Sequence, residues 1–496
     1  MIKKLSDKWL IVPIVLLLIS FLYRLIDQSK MLSFFPLDYI NDWSSYMAQL
    51  HFLKECGFHQ YCQYWYNGFV SFLITPPGWY FFAYPLLILF NDVLHATYFS
   101  MILLYLLGFI FIYYLGKSNK YSLLKIIAFF LFFFANPIAL GNHIRQGRIT
   151  ELFSFVVLIP FVILIFKYKS EKLNKRLFLL LSLVYAVLIP AHFQEAFLFS
   201  FLFLGLFLYK KKFDKLYILL IMLLGIILSS FWLIPFLANI KNKLIFSYEQ
   251  AKYLTFSKGL ILTNIVSIIV PLSLLILFYL YYKTKSKSKG EALFYLPILS
   301  LSFLFLFRLV QYIPFLKNIS PDIYNLFFLF FAIYFLFTLD LNKISLMLRK
   351  FIIYMLILIS IASLVVSVSY TPKFRDYGDL EEEFLDVLSK LDGSFLIAET
   401  PDGITSYPKA YYSMAPIYYN IRTPSGWYPH IIDYGYKNRL YRFTEGYWNK
   451  DCGALKEATA DLEVSYIIST IESCEFLKGC GFNFVRNTQS LCLVKA

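Results

Sequence analysis

Charged residues are scarce in this 496-residue chain, and acidic residues are the scarcer kind. Only 16% of the residues are charged, with 31 Asp and Glu against 46 Lys and Arg, whereas 59% are hydrophobic. This composition excludes the two to four soluble domains that the length alone would suggest. A mean hydropathy of +0.63 indicates an integral membrane protein. In such a protein the net charge of +15 need not indicate nucleic acid, as it would in a soluble chain.

Apolar runs dominate the first three-quarters of the chain. Eleven of them approach the roughly 20 residues that a helix needs to cross a membrane, at 9–27, 97–116, 122–141, 151–167, 176–191, 195–209, 216–238, 260–282, 292–313, 323–340 and 351–370. A further stretch at 69–92 contains Pro76, Pro77 and Pro85, so a re-entrant or interfacial hairpin is favoured there over a true span. We therefore predict a polytopic α-helical membrane protein with about 11–13 transmembrane helices.

The charge is divided unevenly along the chain. Residues 1–370 carry 33 Lys and Arg against 14 Asp and Glu, whereas residues 371–496 carry 13 against 17. The lysine clusters fall in every second predicted loop, and the positive-inside rule places such loops in the cytoplasm. The N-terminus is then cytoplasmic and the tail lies outside the plasma membrane. The basic excess thus records orientation, and no nucleic-acid partner is expected.

Two domains follow from this division. Residues 1–370 form a transmembrane domain with a large first outside loop at 28–76. Residues 371–496 have globular composition, and their alternating helix-like and strand-like segments predict a small α/β domain. An aromatic-rich stretch at 406–443, which includes Trp427, suits stacking against sugars or packing as a cap on the membrane domain.

Cysteine is also rare. The six cysteines all lie in segments predicted to be outside: Cys56, Cys62, Cys452, Cys474, Cys480 and Cys492. That distribution suits disulfides in an oxidising compartment. Pairing of Cys56 with Cys62, and two pairs among the other four, is the simplest arrangement, but sequence does not fix connectivity. Free thiols are an alternative, whereas the spacing of Cys474 and Cys480 does not match a zinc site.

The first outside loop contains two aspartates, Asp38 and Asp42. The following residues place apolar side chains at helical spacing over 41–56, which predicts an amphipathic helix on the membrane surface. Ionisable groups near a bilayer are functional candidates because they are costly to place there. The alternative for Asp42 is a helix cap, worth about 1 kcal/mol.

A second polar segment, GNHIRQGRITELF, contains His143, Arg145, Arg148 and Glu151. Two arginines on the side that positive residues avoid indicate an anionic ligand, because guanidinium groups bind phosphate oxygens in a bidentate way. The alternative is an internal ion pair between Arg148 and Glu151, one helical turn apart.

Two further sets of polar residues are predicted to be outside. His192 and Glu195 stand one turn apart and are candidates for binding an acceptor or a metal, or His192 is an ordinary packing histidine. Arg308 and Gln311 lie at the outer end of a later span, where they either line the same vestibule or form a solvated rim. The predicted span centres are nearly pure Leu, Ile and Phe, which disfavours a channel or proton relay.

These features together resemble the GT-C superfamily of polytopic glycosyltransferases, which use lipid-phosphate sugar donors. The resemblance rests on the acidic pair Asp38 and Asp42, then Trp65 and Gly68, then Pro76, Pro77 and Tyr80. It implies that a first-loop aspartate acts as general base, or as a metal or acceptor ligand. Asp42 is the better match because the aromatic Tyr46 follows it, and Asp38 is second.

The sequence departs from that family in two places. The late loop PFLKNISPDIYN lacks the arginine that many relatives carry, although Arg308 lies upstream. The Trp-Trp-Asp motif of oligosaccharyltransferases is absent, so that specific activity is not expected.

The expected function is transfer of a sugar from a polyprenyl- or dolichyl-phosphate donor to a glycan, lipid or protein acceptor. Asp42 would accept the proton, the segment with His143, Arg145 and Arg148 would hold the phosphate, and Glu151 would join the acceptor or metal candidates. A divalent metal is compatible with the sequence but not required by it. The alternatives are a flippase for lipid-linked glycans, which predicts internal repeats and mid-membrane ionisable groups, and a catalytically silent assembly protein of the same fold.

Overall fold

The computed structural model describes residues 7–37, 42–240, 261–284, 288–370, 374, 376–399, 409–428 and 431–496. Asp38, the second predicted base, lies outside these ranges. The chain divides into two compact units. The first comprises Met1–Gln28, Met101–Leu233 and Phe246–Pro372, and the second comprises Ser29–Ser100, Ile234–Ile245 and Lys373–Ala496. The first outside loop therefore groups with the tail and not with the transmembrane helices.

Helices account for most of the described residues. In chain order they are α1 (Ile11–Gln28), α2 (Trp43–Glu55), α3 (Gly78–Phe90), α4 (Val93–Ser118), α5 (Leu123–Phe134), α6 (Ile149–Ser170), α7 (Lys175–Ala191), α8 (Phe193–Phe199), α9 (Phe201–Tyr209), α10 (Lys212–Leu228), α11 (Ser230–Asn239), α12 (Ile261–Thr284), α13 (Lys289–Leu306), α14 (Pro321–Thr338), α15 (Leu346–Val365), α16 (Asp379–Leu388), α17 (Lys409–Tyr419), α18 (Tyr434–Trp448), α19 (Cys452–Asp461) and α20 (Cys474–Gly479). The strands are β1 (Tyr61–Cys62), β2 (Phe69–Val70), β3 (Phe395–Ile397), β4 (Tyr466–Thr470), β5 (Asn483–Asn487) and β6 (Leu491–Lys495).

Seven helices of the described chain are long and apolar enough to cross a membrane. They are Asp7–Leu32, Val93–Ser118, Ile149–Ser170, Asn264–Thr284, Lys289–Leu306, Pro321–Thr338 and Leu346–Ser369. Two bent pairs, α5 with Pro137–Arg145 and α10 with α11, raise the number to nine if each pair is one span. The predicted polytopic helical membrane fold is confirmed. The predicted runs at 176–191 and 195–209 form α7 and the shorter α8 and α9, since Pro190 and His192 end one helix before the next begins.

The bend after α5 has a local cause. Asn136 caps a new helical segment, because its side-chain oxygen accepts hydrogen bonds from the N–H groups of Ile138 and Ala139 at 2.9 and 3.1 Å. Pro137 occupies the first helical position, where it lacks only a hydrogen-bond donor that would have no helical partner. A wide π-helical turn, Leu140–Arg145, then carries the chain to α6. The polar segment predicted at this position is thus a break between helices.

Helix α14 is the core of the first unit. Of its 18 residues, 89% are buried inside the protein, whereas 22% are buried in the apolar 18-residue part of Leu346–Ser369. It packs against α12 and α5, and its phenylalanines fill the spaces between these helices, with Phe330 meeting Phe129 and Phe133. The first unit is therefore held together largely by aromatic packing.

The second unit contains a four-stranded sheet in the order β3-β4-β6-β5. Strands β3 and β4 are parallel, whereas β6 runs antiparallel to both β4 and β5. With α16 and α18 to α20 this is the small α/β fold predicted for the tail. The disulfides Cys56–Cys62, Cys452–Cys480 and Cys474–Cys492 are all present, which confirms the predicted pairing scheme and fixes its connectivity.

The proline-containing stretch at 69–92 begins as strand β2 and continues as α3. This helix has 13 residues, a length of about 20 Å at 1.5 Å per residue, which is shorter than the roughly 30 Å of a hydrocarbon core. Pro77 sits at its N-cap position and Pro85 lies inside it. Helix α3 alone is thus too short to span, and a re-entrant or interfacial element stays the prediction for this stretch.

Candidate functional site

Asp42 lies at the first turn of α2 without capping it. Its main-chain oxygen accepts hydrogen bonds from the N–H groups of Ser45 and Tyr46, both at 3.1 Å. Its carboxylate makes no capping hydrogen bond. Instead, Oδ1 accepts a hydrogen bond from the indole N–H of Trp427 at 2.9 Å. The helix-cap interpretation of this side chain is therefore wrong, and the carboxylate is directed towards the tail segment.

Helix α2 is present as predicted, but it does not lie on a surface. Every residue from Trp43 to Leu50 is buried. The helix packs against α3 and α17, and this is possible because its polar residues Ser44, Ser45 and Gln49 are uncharged and are buried with the rest. The surface-helix prediction is wrong, since α2 is a core helix that gives Asp42 a rigid base.

The segment around Trp427 is tied to the first loop by main-chain contacts. The N–H of Thr423 donates to the carbonyl of Tyr64 at 2.8 Å, and the indole N–H of Trp65 donates to the carbonyl of Tyr412 at 2.8 Å. Gly426 passes so close to Trp65 that a Cβ atom there would lie 2.8 Å from the indole ring. These contacts set the position from which Trp427 reaches Asp42.

Tyr428 brings a hydroxyl group to the same place. Ser45 Oγ lies 3.0 Å from the Tyr428 hydroxyl and 2.7 Å from the main-chain oxygen of Asp42. Burial raises the pKa of Tyr428 well above its usual value, and the neighbouring Tyr46 and Asp42 raise it further. The Tyr428 hydroxyl is therefore neutral at neutral pH. Sequence reasoning noted the aromatic stretch but did not single out this residue.

The first unit contains a separate cluster of charged groups. Arg148 Nη1 lies 3.4 Å from a carboxylate oxygen of Glu151 and 3.8 Å from one of Asp322. The predicted alternative of an internal Arg148–Glu151 pair is thus present. Asp322 was not foreseen as a partner, because it comes from α14, far along the chain.

His192 and Glu195 belong to the same cluster. Nδ1 of His192 lies 3.7 Å from Oε2 of Glu195, and Glu195 is 0% exposed. Glu195 also interacts electrostatically with Glu151 and Arg148. Among the residues that the structure describes, no three His, Cys, Asp or Glu side chains come together as metal ligands. The predicted pairing of His192 with Glu195 is thus seen. Within the described residues, no third side chain completes a metal site with them.

His143 and Arg145 lie on the π-helical turn. His143 is 0% exposed, and neither ring nitrogen makes a hydrogen bond within the described ranges. Arg145 is partly exposed and forms no ion pair with any described residue. Of the two predicted phosphate-binding arginines, only Arg148 is engaged by carboxylates.

One pair of charged residues escaped sequence reasoning. Arg24 is 1% exposed, and its Nη1 lies 3.2 Å from a carboxylate oxygen of Asp27, both within α1. Arg24 also interacts electrostatically with Arg145. The pair lies at the end of the predicted span at 9–27, so the prediction of apolar span centres is not contradicted by it. The available signal was an arginine and an aspartate one turn apart at the end of the first apolar run.

Arg308 is not part of a solvated rim. It is 3% exposed, and Nη2 lies 3.4 Å from Oδ1 of Asn264. Its guanidinium carbon also stands 5.4 Å from the centre of the Phe305 ring. Gln311 is half-buried in the short helix that follows. The structure therefore corrects the rim interpretation for Arg308, which packs against α12 and α13.

Comparison with known proteins finds likeness at the level of three-dimensional structure only. No family model matches the sequence, and no curated protein matches it. The arabinofuranosyltransferase AftD from Mycobacteria superposes with a TM-score of 0.56 at 14% identity, over 94% of this chain and 35% of that one. In a second AftD structure this chain spans 42% of the length, so it corresponds to well under half of AftD.

The oligosaccharyltransferase of Archaeoglobus fulgidus is similar over more of its own length. Its apo form superposes with a TM-score of 0.56 at 11% identity, over 94% of this chain and 70% of that one. Another structure of it, in complex with an inhibitory peptide and a dolichol-phosphate, gives a TM-score of 0.52 at 12% identity. At such identities the likeness concerns the fold. This chain is a multi-pass membrane protein with the fold of the GT-C glycosyltransferases.

Proposed function

We propose that this protein is a membrane glycosyltransferase that moves a sugar from a polyprenyl- or dolichyl-phosphate donor to an acceptor hydroxyl. The observation that carries the proposal is the Asp42 carboxylate, which Trp427 orients at 2.9 Å and which its own helix does not use as a cap. The shared fold supports it, and so does the dolichol-phosphate bound to the archaeal oligosaccharyltransferase.

Asp42 has the chemistry of a general base. Its carboxylate takes the proton from the acceptor O–H while the acceptor oxygen forms a bond to the anomeric carbon of the donor. The bond from that carbon to the phosphate oxygen breaks, and the lipid phosphate leaves with the electron pair. Because this is one displacement, the anomeric configuration inverts.

Two aromatic residues, Trp427 and Tyr428, lie beside the Asp42 carboxylate. The Trp427 indole N–H fixes one carboxylate oxygen by a hydrogen bond to a charged group, which is stronger than a neutral one. Tyr428 adds a hydroxyl group, which accepts a hydrogen bond from Ser45, and aromatic rings offer faces against which apolar parts of a ligand pack. We assign Trp427 as a positioning residue and Asp42 as the catalytic one.

Arg145 is the stronger candidate for the donor phosphate. Arg148 already shares its charge between Glu151 and Asp322, whereas Arg145 makes no ion pair in the described part of the chain. A guanidinium group without a carboxylate partner retains its full capacity for a phosphate. Action on the outer face of the plasma membrane follows from the distribution of lysines in the sequence and belongs to this proposal.

The test is a transfer assay with the purified full-length chain, polyprenyl-phosphate-linked arabinose, mannose or glucose as donors, and cell-envelope glycans as acceptors. Asp42→Asn should lower the transfer rate about 10³-fold, within the range of general-base catalysis. The asparagine still offers an oxygen to Trp427, so the fold is preserved. Asp376→Asn is the matched control, because Asp376 is an exposed partner of Lys30 in the same unit.

Full activity of Asp42→Asn would refute the assigned base. If the chain transfers none of these sugars but carries a lipid-linked glycan across a vesicle membrane, the flippase alternative replaces the proposal.

A further inference from the structure

A polar groove of about 510 Å³ lies within the second unit. Its walls come from the loop between β1 and β2, the turn before β3, the segment after α17 and the turn before β4, and include Asn67, Asp392, Ser394, Asn420, Arg422 and Glu463. We propose that this groove binds the acceptor as an uncharged oligosaccharide. This inference rests on the proposed function and names its acceptor class.

The lining selects for sugars over other ligands. Asp392 and Glu463 carry two negative charges against the one positive charge of Arg422, so a phosphate or nucleotide would be repelled. Leu391 and Ile421 are the aliphatic residues of the lining, which is too little apolar surface for a lipid chain. Carboxylates, amides and a guanidinium group are the hydrogen-bonding partners that sugar hydroxyls need.

The groove is fixed before a ligand arrives. Asn67 Nδ2 donates to the carbonyl of Leu462 at 2.7 Å, the Tyr64 hydroxyl donates to Asn420 Oδ1 at 3.0 Å, and the Tyr466 hydroxyl donates to Asp392 Oδ1 at 2.5 Å. Side chains held in this way lose little entropy on binding, which favours affinity.

The backbone of the groove also shows strain. Asn67, Asn420 and Glu463 have φ of 55°, 55° and 49°. Asparagine tolerates this conformation, whereas glutamate rarely adopts it. Strained residues concentrate at binding sites, and here Glu463 belongs to the groove lining.

The groove is connected by a short segment to the proposed base. Arg422 lies at the groove, and Trp427, five residues further on, holds Asp42 at 2.9 Å. Five residues span at most about 18 Å, a distance that a short oligosaccharide covers. We therefore expect a glycan of several sugars bound in the groove to bring its terminal hydroxyl to the Asp42 carboxylate.

The experiment measures binding separately from transfer. The full-length chain in detergent is applied to an array of linear uncharged oligosaccharides of hexoses and pentoses, with nucleotide sugars and inorganic phosphate as competitors. Arg422→Ala and Asp392→Asn should each weaken oligosaccharide binding at least tenfold. In transfer they should raise the acceptor KM by a similar factor and leave kcat and the donor KM unchanged.

Two control variants separate the groove from the catalytic step. Arg442→Ala removes an exposed arginine that pairs with Glu457 outside the groove lining, and it should leave binding unchanged. Asp42→Asn should retain oligosaccharide binding although transfer is lost.

The inference is overturned if none of the oligosaccharides binds, or if both groove variants bind them as tightly as the unchanged protein. Competition by phosphate would likewise overturn it, in favour of an anion site. If the protein transfers sugar but the acceptor KM of the groove variants equals that of the unchanged protein, the groove is refuted as the acceptor site while the proposed function stands. Oligosaccharide binding that depends on the groove without any sugar transfer would refute the proposed function and leave a glycan-binding groove.

Discussion

Asp42 in the second unit and the acid pair Glu151 and Asp322 in the first have different kinds of partner. The Asp42 carboxylate is held by the neutral indole N–H of Trp427. Glu151 and Asp322 share the guanidinium of Arg148. A neutral donor orients a carboxylate without bringing a positive charge to it, whereas a guanidinium cancels its charge. The comparison teaches that the partner of an acid, more than its presence near the membrane, decides whether it is available for catalysis.

The two units also differ in what stabilises them. All six cysteines of the chain belong to the second unit, where three disulfides close short loops around the sheet and the first loop. The first unit contains no cysteine and depends on aromatic and aliphatic packing around α14. Changes in redox conditions should therefore act on the second unit.

Loss of the Cys452–Cys480 disulfide should have the largest effect on stability, because it closes the longest of the three loops. The paired positions are 28 apart in sequence, so replacing both cysteines by serine should cost about 3.5 kcal/mol of unfolding free energy for the second unit. The measurement is resistance to proteolysis in increasing denaturant. Replacing Cys56 and Cys62, only six residues apart, is the matched control and should cost about 2 kcal/mol. An equal or larger loss in the control would contradict the loop-length argument.

Arg148 and Arg145 should respond differently to the same substitution. Arg148→Gln removes a cation that contacts both Glu151 and Asp322 and should cost about 2 kcal/mol of stability. That is below the usual penalty for breaking a buried pair, because the Arg148 side chain is 25% exposed. Arg145→Gln should leave stability unchanged and raise the donor KM about tenfold. Thermal unfolding and donor kinetics of the two variants would measure this.

An unchanged donor KM in Arg145→Gln would remove the phosphate role. If instead Arg148→Gln is stable and binds the donor weakly, the assignments of the two arginines are reversed.

Trp427→Phe should lower kcat about tenfold, because it keeps an aromatic ring and removes the N–H that orients Asp42. The acceptor KM should change less than kcat, as expected for a positioning residue. Trp448→Phe is the control, since Trp448 is exposed on α18. A loss expressed only in the acceptor KM would show that Trp427 acts by contacting the sugar and not through Asp42.

The smallest expected effect concerns pH. Burial lowers the pKa of His51 on α2, with a smaller opposing effect of Glu55 and a further lowering by Lys54. Below the ordinary histidine pKa of about 6.5, the unfolded chain binds a proton more readily than the folded one. The free energy of unfolding should therefore fall as the pH drops from about 6.5 towards the folded pKa. Above about pH 6.5 it should stay level.

His51→Gln should flatten this dependence, as measured by unfolding free energies between pH 5 and 8. The same slope in the variant would assign the dependence to other groups.

Much of the membrane architecture could be predicted from the sequence. The apolar runs predicted a polytopic helical protein, and the position of the cysteines predicted disulfides but not the connectivity of the tail pairs, because composition and local spacing are readable from the sequence. The charged pair Arg24–Asp27 was missed at the end of an apolar run, although an i, i+3 spacing of opposite charges is a local signal. The surface helix at 41–56 was misjudged because a helical pattern does not reveal whether other elements cover its polar face.

The partners of the candidate site came from long-range packing. Trp427 follows Asp42 by 385 residues, and Asp322 reaches Arg148 from a different helix. No spacing rule connects residues so far apart.

The sequence by itself determined that this chain is a membrane protein and where most of its helices run. These properties follow from hydrophobicity and helical period, which act locally. The choice of Asp42 as the first-loop acid came from the resemblance to the GT-C superfamily. The tertiary structure decided that the first loop and the tail form one unit, that Trp427 and Tyr428 accompany Asp42, and that Arg148 is already paired. Each depends on which distant surfaces bury one another and on which buried charges must then be neutralised, and both are decided only when the whole chain packs.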